Sequence, residues 1–263
     1  MRTRSVCRVA GAATTVTALA LLAGCGGGGG QDPQAGGGQP QTLTVFAAAS
    51  LTDTFGELEK RFEQVNPGTD VTLNFAGSSA LAQQINQGAP ADVFASANES
   101  NMTKVTEPGN ARGEPVVFAT NTLQIATAPQ NPRRIASLKD LTNPDLRTVV
   151  CAPQVPCGSA AEKVEQAAGV QLAPVSEEQD VKSVLNKVTT GNADAGLVYK
   201  TDVTAADGQV QGVDFPQSGQ AVNNYPIATL TNASNAELAQ KWVQFVTGEH
   251  GKQVLTAAGF GTP

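Results

Sequence analysis

The chain has 263 residues, with 17 Lys and Arg against 23 Asp and Glu, a formal net charge of −6 and a single histidine. That acidic balance excludes a basic surface for nucleic acid and a cationic funnel for anions. The lone histidine, His250, in a Gly-Glu-His-Gly turn near the C-terminus, is a poor general base and a poor start for a metal centre.

At the N-terminus, Arg2, Arg4 and Arg8 precede an apolar run from Val9 to Leu22, too short to span a bilayer and shaped like a secretory h-region. The run ends in Leu22-Ala23-Gly24-Cys25, which resembles the lipobox of bacterial lipoproteins. Residues 1–24 are therefore expected to be a signal peptide, and Cys25 a diacylated N-terminus that anchors an exported protein to the outer face of the cell membrane. Residues 25–41 are rich in Gly, Gln and Pro and read as a flexible tether, reaching roughly 20 Å in root-mean-square terms. Loss of residues 1–24 removes three arginines and no acid, leaving 14 basic and 23 acidic residues and a net charge of −9. Cys151 and Cys157 remain, separated by Ala-Pro-Gln-Val-Pro. Outside the cytoplasm two thiols this close are expected to pair, contributing about 2 kcal/mol on the loop-entropy view.

The fold is expected to begin near Gln41. Leu43, Val45 and Ala47, with Phe46, start a buried strand. After Ser50, apolar residues at Leu51, Phe55, Leu58, Phe62 and Val65 mark one face of a helix that Asn66-Pro67-Gly68 stops. Val71, Leu73 and Phe75 alternate as a second strand. Ser78 or Ser79 then leads into a helix with Leu81 and Ile85, and Ala91 to Ala95 is a third strand. In both strand-to-helix turns the serine is expected to be the N-cap. This order implies a parallel α/β sheet. A second unit repeats it: strands at 123–127 and 148–151, a helix entered through Val155-Pro156-Cys157-Gly158-Ser159, another entered through Ser176-Glu-Glu-Gln-Asp180, and a strand at 193–199. Tyr225 to Leu230 reads as a strand returning to the first unit. Ser234-Asn-Ala-Glu237 has a capping-box pattern, with Leu238, Trp242, Phe245 and Val246 behind it, and a last helix lies near 252–258.

Enzyme readings are weak. Ser50, Ser78 and Ser79 stand in no Gly-x-Ser-x-Gly elbow, so a secreted hydrolase would have to rely on His250. Arg112, Arg133, Arg134 and Arg147 fall in polar stretches read as exposed loops, which disfavours an amino-acid pocket. Only Tyr199 and Tyr225 are available for a ferric site. What remains is neutral donors at helix starts, where unpaired N–H groups favour an anion.

FAAASL, FAGSSALAQQI followed by GAPADVFASA, the VPCG turn, SEEQDVKSVL and GLVY resemble the periplasmic molybdate-binding proteins of ABC importers, in the same order, over nearly everything from Leu43 to Phe260. The resemblance implies a type II periplasmic-binding fold: lobe 1 at 42–120, lobe 2 at 121–225, a C-terminal part of lobe 1 at 226–263, a ligand cleft between the lobes and two crossing segments. It implies molybdate, or tungstate, as ligand, an ABC permease as partner, a monomer, no cofactor and no direct protein–metal bond. Carried over residue by residue, the ligand donors are Ser50, Ser78 (or Ser79 if the register slips), the backbone of Cys157, where the family has alanine, the backbone of Val181, and the Tyr199 phenol. A receptor for sulfate or another tetrahedral oxyanion is the alternative.

Overall fold

A strand buried on both faces carries apolar residues continuously rather than alternately, and β1 (Gln41–Ala48) does so, with Leu43, Val45, Phe46 and Ala47 all buried. The computed structural model describes residues 41–263. The expected signal peptide, the lipid site Cys25 and the tether up to residue 40 lie outside the described residues.

From β1 the chain passes through one 3-10 turn, Ala49–Leu51, into α1 (Thr52–Val65), then β2 (Thr69–Ala76), α2 (Ser78–Asn86), β3 (Val93–Ala95), α3 (Glu99–Thr106) and β4 (Ala111–Asn121). Thr122 alone separates β4 from β5 (Leu123–Thr127). There follow β6 (Thr148–Cys151), α4 (Pro156–Ala168), β7 (Ser176–Glu178), α5 (Val181–Thr189), β8 (Ala195–Tyr199), α6 (Lys200–Ala205) and β9 (Gln211–Val213). The chain then returns through β10 (Asn223–Leu230) to α7 (Ala236–Thr247) and α8 (Glu249–Ala257).

Two five-stranded sheets result, ordered β2-β1-β3-β10-β4 and β7-β6-β8-β5-β9. In each, three strands linked through helices run parallel, and the fourth runs antiparallel to its neighbours. The sheets are thus mixed rather than purely parallel. β5 and β10 each arrive from the other sheet with no crossover helix to turn them round, and so lie antiparallel. The chain crosses between sheets twice, at Thr122 and again between β9 and β10.

Each sheet has its own core. Leu51, Phe55, Leu58 and Phe62 of the first helical face are buried, while Val65, in the last turn, is exposed. Trp242 of α7 meets the rings of Phe55 and Phe62 edge-on at 5.8 and 5.2 Å, which binds the C-terminal helices to the first sheet. The second sheet is packed by Val149, Val164, Val184, Val188 and Leu197. Among the described residues no helix is long and apolar enough to cross a membrane.

Several local expectations are corrected. Asn235, not Ser234, caps α7, its side chain accepting from Leu238 N at 3.1 Å. Ser234 instead donates its N–H and hydroxyl to Asp92 Oδ1 at 2.6 and 2.8 Å, while Asp92 Oδ2 accepts from Thr44 N at 2.7 Å. One buried carboxylate therefore ties the start of α7 to β1, and it outcompetes the capping box. Ser176–Glu178 forms strand β7, and α5 starts only after Asp180, whose side chain accepts from Ser183 N at 2.8 Å. Arg112 lies on β4 rather than in a loop. The short helices α3 and α6 were not expected from the sequence.

Cys151, ending β6, and Cys157, in the first turn of α4, are joined in a disulfide with Cα atoms 5.6 Å apart. Reduction with dithiothreitol, or the double change of both cysteines to alanine, is expected to cost about 2 kcal/mol, seen as a fall of roughly 4–8 °C in the melting temperature. An unchanged melting temperature would show that the bridge does not constrain the fold.

Candidate functional site

Where strands end and helices begin, the first amides of each helix have no intrahelical carbonyl to reach. Helix starts of this kind from both sheets meet around one small cavity of about 10 Å³. From the first sheet come Ser50, in the turn after β1, and Gly77 and Ser78, at the start of α2. From the second come Pro156 and Cys157, opening α4, and Asp180 and Val181, opening α5. Tyr199, at the end of β8, and Ala97 complete the wall. The five residues expected as donors, Ser50, Ser78, Cys157, Val181 and Tyr199, therefore lie together. Ser79 faces away, into a wider hollow of about 660 Å³ whose walls include the exposed chains of Gln83, Lys104, Glu107 and Gln154.

Neither serine is an N-cap. The 3-10 turn draws Ser50 into helical backbone, whereas a cap needs extended backbone. Its hydroxyl is instead 3.0 Å from that of Tyr225. At α2 the cap position belongs to Gly77, and Ser78 is the first helical residue. Ser78 Oγ accepts the N–H of Ala97 at 3.0 Å. A methyl group on Gly77 would lie 2.1 Å from the carbonyl oxygen of Gln179, across the cleft in the connection between β7 and α5, so a side chain here would hold the two sides apart.

The walls are neutral apart from Asp180, and both its carboxylate oxygens are engaged by Ser183, through N–H at 2.8 Å and hydroxyl at 2.9 Å. No lysine or arginine lines the cavity. Tyr199 and Tyr225 are fully buried, with ring centroids 6.0 Å apart. Burial above all pushes both phenols above their ordinary range, so each keeps its hydrogen and remains a donor. Just behind, Lys182 of α5 sits 2.8 Å from Asp53 of α1 and 3.4 Å from the buried Asp202 of α6, whose Oδ2 accepts from Tyr199 N at 3.1 Å.

The family described as bacterial extracellular solute-binding protein matches residues 43–261. The chain belongs to that family. Among relatives of this solute-binding protein, the molybdate-binding protein ModA of Mycobacterium tuberculosis is 46% identical over 257 residues, covering 96% of this chain and 98% of that one. Two solved structures share the fold with a TM-score of 0.73 and each covers 84% of this chain. They are the periplasmic molybdate-binding protein of Azotobacter vinelandii, at 22% identity with 99% of that chain covered, and the sulfate-binding protein SubI of Mycobacterium tuberculosis, at 16% with 86% covered. One is named for molybdate and the other for sulfate, so the architecture alone does not choose the anion.

Sequence reasoning missed Gly77, Asn223 and Tyr225. Tyr225 and Asn223 stand on β10, far along the chain from Ser50 and Ala97, and strand pairing brings them up behind the cavity wall.

Desolvation pushes the Asp202 carboxyl up to about 6, outweighing the attraction of Lys182. Because this exceeds the ordinary value of 3.8, the stability it contributes is full below about pH 4 and is lost as pH rises through about 6, on the order of 3 kcal/mol. Denaturant unfolding from pH 4 to 7.5 should show this decline in the wild-type protein and a flatter profile in Asp202→Asn. Identical profiles would refute the assignment.

Proposed function

We propose that this solute-binding protein captures molybdate between its two sheets and delivers it to an ABC permease. The observation that carries the reading is the donor set: hydroxyls of Ser50, Ser78 and Tyr199, and backbone N–H groups at Ser50, Cys157 and Val181, around a cavity with no cationic side chain. A tetrahedral dianion without a proton needs donors only, and each hydrogen bond to a charged group is worth roughly 1.5–3 kcal/mol. Several from two sides offset the desolvation of the ion. At about 10 Å³ the cavity is far below the ~300–1,000 Å³ typical of organic ligands and leaves no room for one. The near-full-length likeness to a protein named for molybdate supports that choice.

Tungstate, of nearly the same size, should bind as well. Hydrogen phosphate would leave its O–H without an acceptor, and sulfate, with shorter bonds, would be held less closely. The reading requires no cofactor, no direct bond between protein and molybdenum, and no catalysis. His250 stacks on Phe245 at 4.8 Å, on helices that do not line the cavity, which counts against its serving Ser50 as a base. We further infer a monomer that works outside the cytoplasm, held to the membrane by lipid on Cys25.

Thermal unfolding of the protein with millimolar molybdate, tungstate, sulfate or phosphate tests this. A ligand at about a thousand times its dissociation constant adds about 4 kcal/mol, or roughly 8–16 °C. Large shifts with molybdate and tungstate but not phosphate are expected; a shift with sulfate alone would transfer the site to the sulfate reading. Closure has its own test. Because an added methyl would lie 2.1 Å from the Gln179 carbonyl oxygen in this structure, Gly77→Ala should weaken molybdate binding by about 10- to 100-fold in calorimetry and, where the empty cleft opens, leave the unliganded melting temperature nearly unchanged. Wild-type affinity in this variant would show that closure does not need the glycine.

A further inference from the structure

Behind the cavity lies a buried amide that the donor set above does not include. Asn223 opens β10, where the chain returns from the second sheet to the first, and is buried. Its Nδ2 lies 2.7 Å from the carbonyl oxygen of Ala97, 2.9 Å from the Tyr199 hydroxyl and 3.4 Å from the carbonyl oxygen of Pro156. Carbonyl oxygens only accept, so the nitrogen, not the oxygen, of this amide must face them. That nitrogen only donates, and Tyr199 therefore receives a hydrogen from Asn223. Its own hydroxyl hydrogen is left for another acceptor, the neighbouring Tyr225 oxygen or an ion in the cavity it lines.

Each of the three contacts stands one step behind a cavity donor. Tyr199 is held directly. The amide's two hydrogens go to Ala97 and Tyr199, and the Pro156 carbonyl at 3.4 Å shares one of them weakly; that carbonyl and the Cys157 N–H are opposite ends of a single planar peptide group, so the shared contact still orients the N–H. Ala97, gripped through its carbonyl, gives its N–H to Ser78 Oγ at 3.0 Å. A hydroxyl that accepts from behind is free to donate forward.

We propose that Asn223 is the positioning residue of this site: one side-chain amide, bonded to turns of both sheets, sets the Tyr199 hydroxyl, the Cys157 peptide and, through Ala97, the Ser78 hydroxyl so that all three present hydrogens to a fully deprotonated oxyanion. This rests on the anion reading above. It turns the Tyr199 and Ser78 hydroxyls into donors toward the ion, beside an Asp180 carboxylate whose oxygens Ser183 already engages.

Asn223→Asp keeps the shape and reverses the polarity. Ionised, the carboxylate faces two carbonyls and takes the Tyr199 hydrogen; protonated, it donates again. Asn223→Ser is too short to reach Tyr199. The test is calorimetric titration of the full chain with micromolar molybdate from pH 5.5 to 8.5, each variant expressed relative to wild type at the same pH so that Asp202, which faces the backbone of Tyr199, cancels. The phenols of Tyr199 and Tyr225 stay protonated throughout, and Asp180 on the cavity wall and Glu99 and Lys163, which share a hollow with Asn223, are common to wild type and variants and cancel in the same way. Asn223→Asp should bind about 100-fold more weakly at pH 8.5 and recover at least about tenfold by pH 5.5, and Asn223→Ser should lose about tenfold at every pH. Affinity within twofold of wild type in either folded variant overturns the proposal. So does an Asn223→Asp loss that is equal at all pH values, which would mark a packing residue. Should circular dichroism show Asn223→Asp unfolded, Asn223→Ser decides. If wild type binds sulfate and not molybdate, the ligand reading fails and the same series on sulfate still judges Asn223; wild type binding neither overturns both.

Discussion

A multiply charged anion has to be held here without a counter-charge, and the rest of the site follows from that constraint. Taking a dianion out of water costs far more than any single neutral hydrogen bond returns. The compensation has to come from many donors whose directions are set beforehand, so that nothing reorganises when the ion arrives. Helix starts supply such donors from the backbone itself. The charged groups nearby are already engaged: Asp180 with Ser183, and Lys182 with Asp53 and Asp202. Binding strength in such a site depends on geometry more than on charge.

That geometry explains which parts could be read from the sequence. Ser50 and Ser78 were legible because a strand, one or two small residues and an amphipathic helix form a local pattern, and the helix start lies wherever the pattern changes period; Cys157, Val181 and Tyr199 were legible only through the resemblance to the molybdate-binding family. The side-chain roles of the two serines were not. Whether Ser50 caps a helix depends on one extra 3-10 turn, and whether Ser78 does depends on Gly77 meeting a carbonyl roughly a hundred residues away. Asn223 and Tyr225 lie on β10, whose sequence resembles any buried strand; their meaning comes from its register against β3 and β4. Helices α3 and α6, with only 8 and 6 residues, are too short to develop a periodic face.

Several polar contacts join the two sides of the cavity, among them the buried Asn121 to Thr201 hydrogen bond at 2.8 Å and Asn101 to the Gln154 carbonyl at 3.4 Å. Lys182 to Asp53 crosses between them near the surface, where an exposed ion pair contributes about 1 kcal/mol or less. Asn223 crosses in the interior, reaching Ala97 on one side and Pro156 and Tyr199 on the other. The bridge at Cys151 and Cys157 braces one wall only.

The order of strands has a consequence for how the chain assembles. The second sheet draws all five strands from the continuous stretch 123–213, whereas the first needs β10, at 223–230, inserted between β3 and β4. During emergence from the ribosome or a secretion channel, the second lobe is thus the first to possess all its strands. The earlier lobe waits with β3 and β4 unpartnered on their facing edges, and its long-range closure carries the larger entropic cost. The strand that completes it is the one that carries Asn223 and Tyr225, so the binding site becomes competent in the same step that finishes the fold.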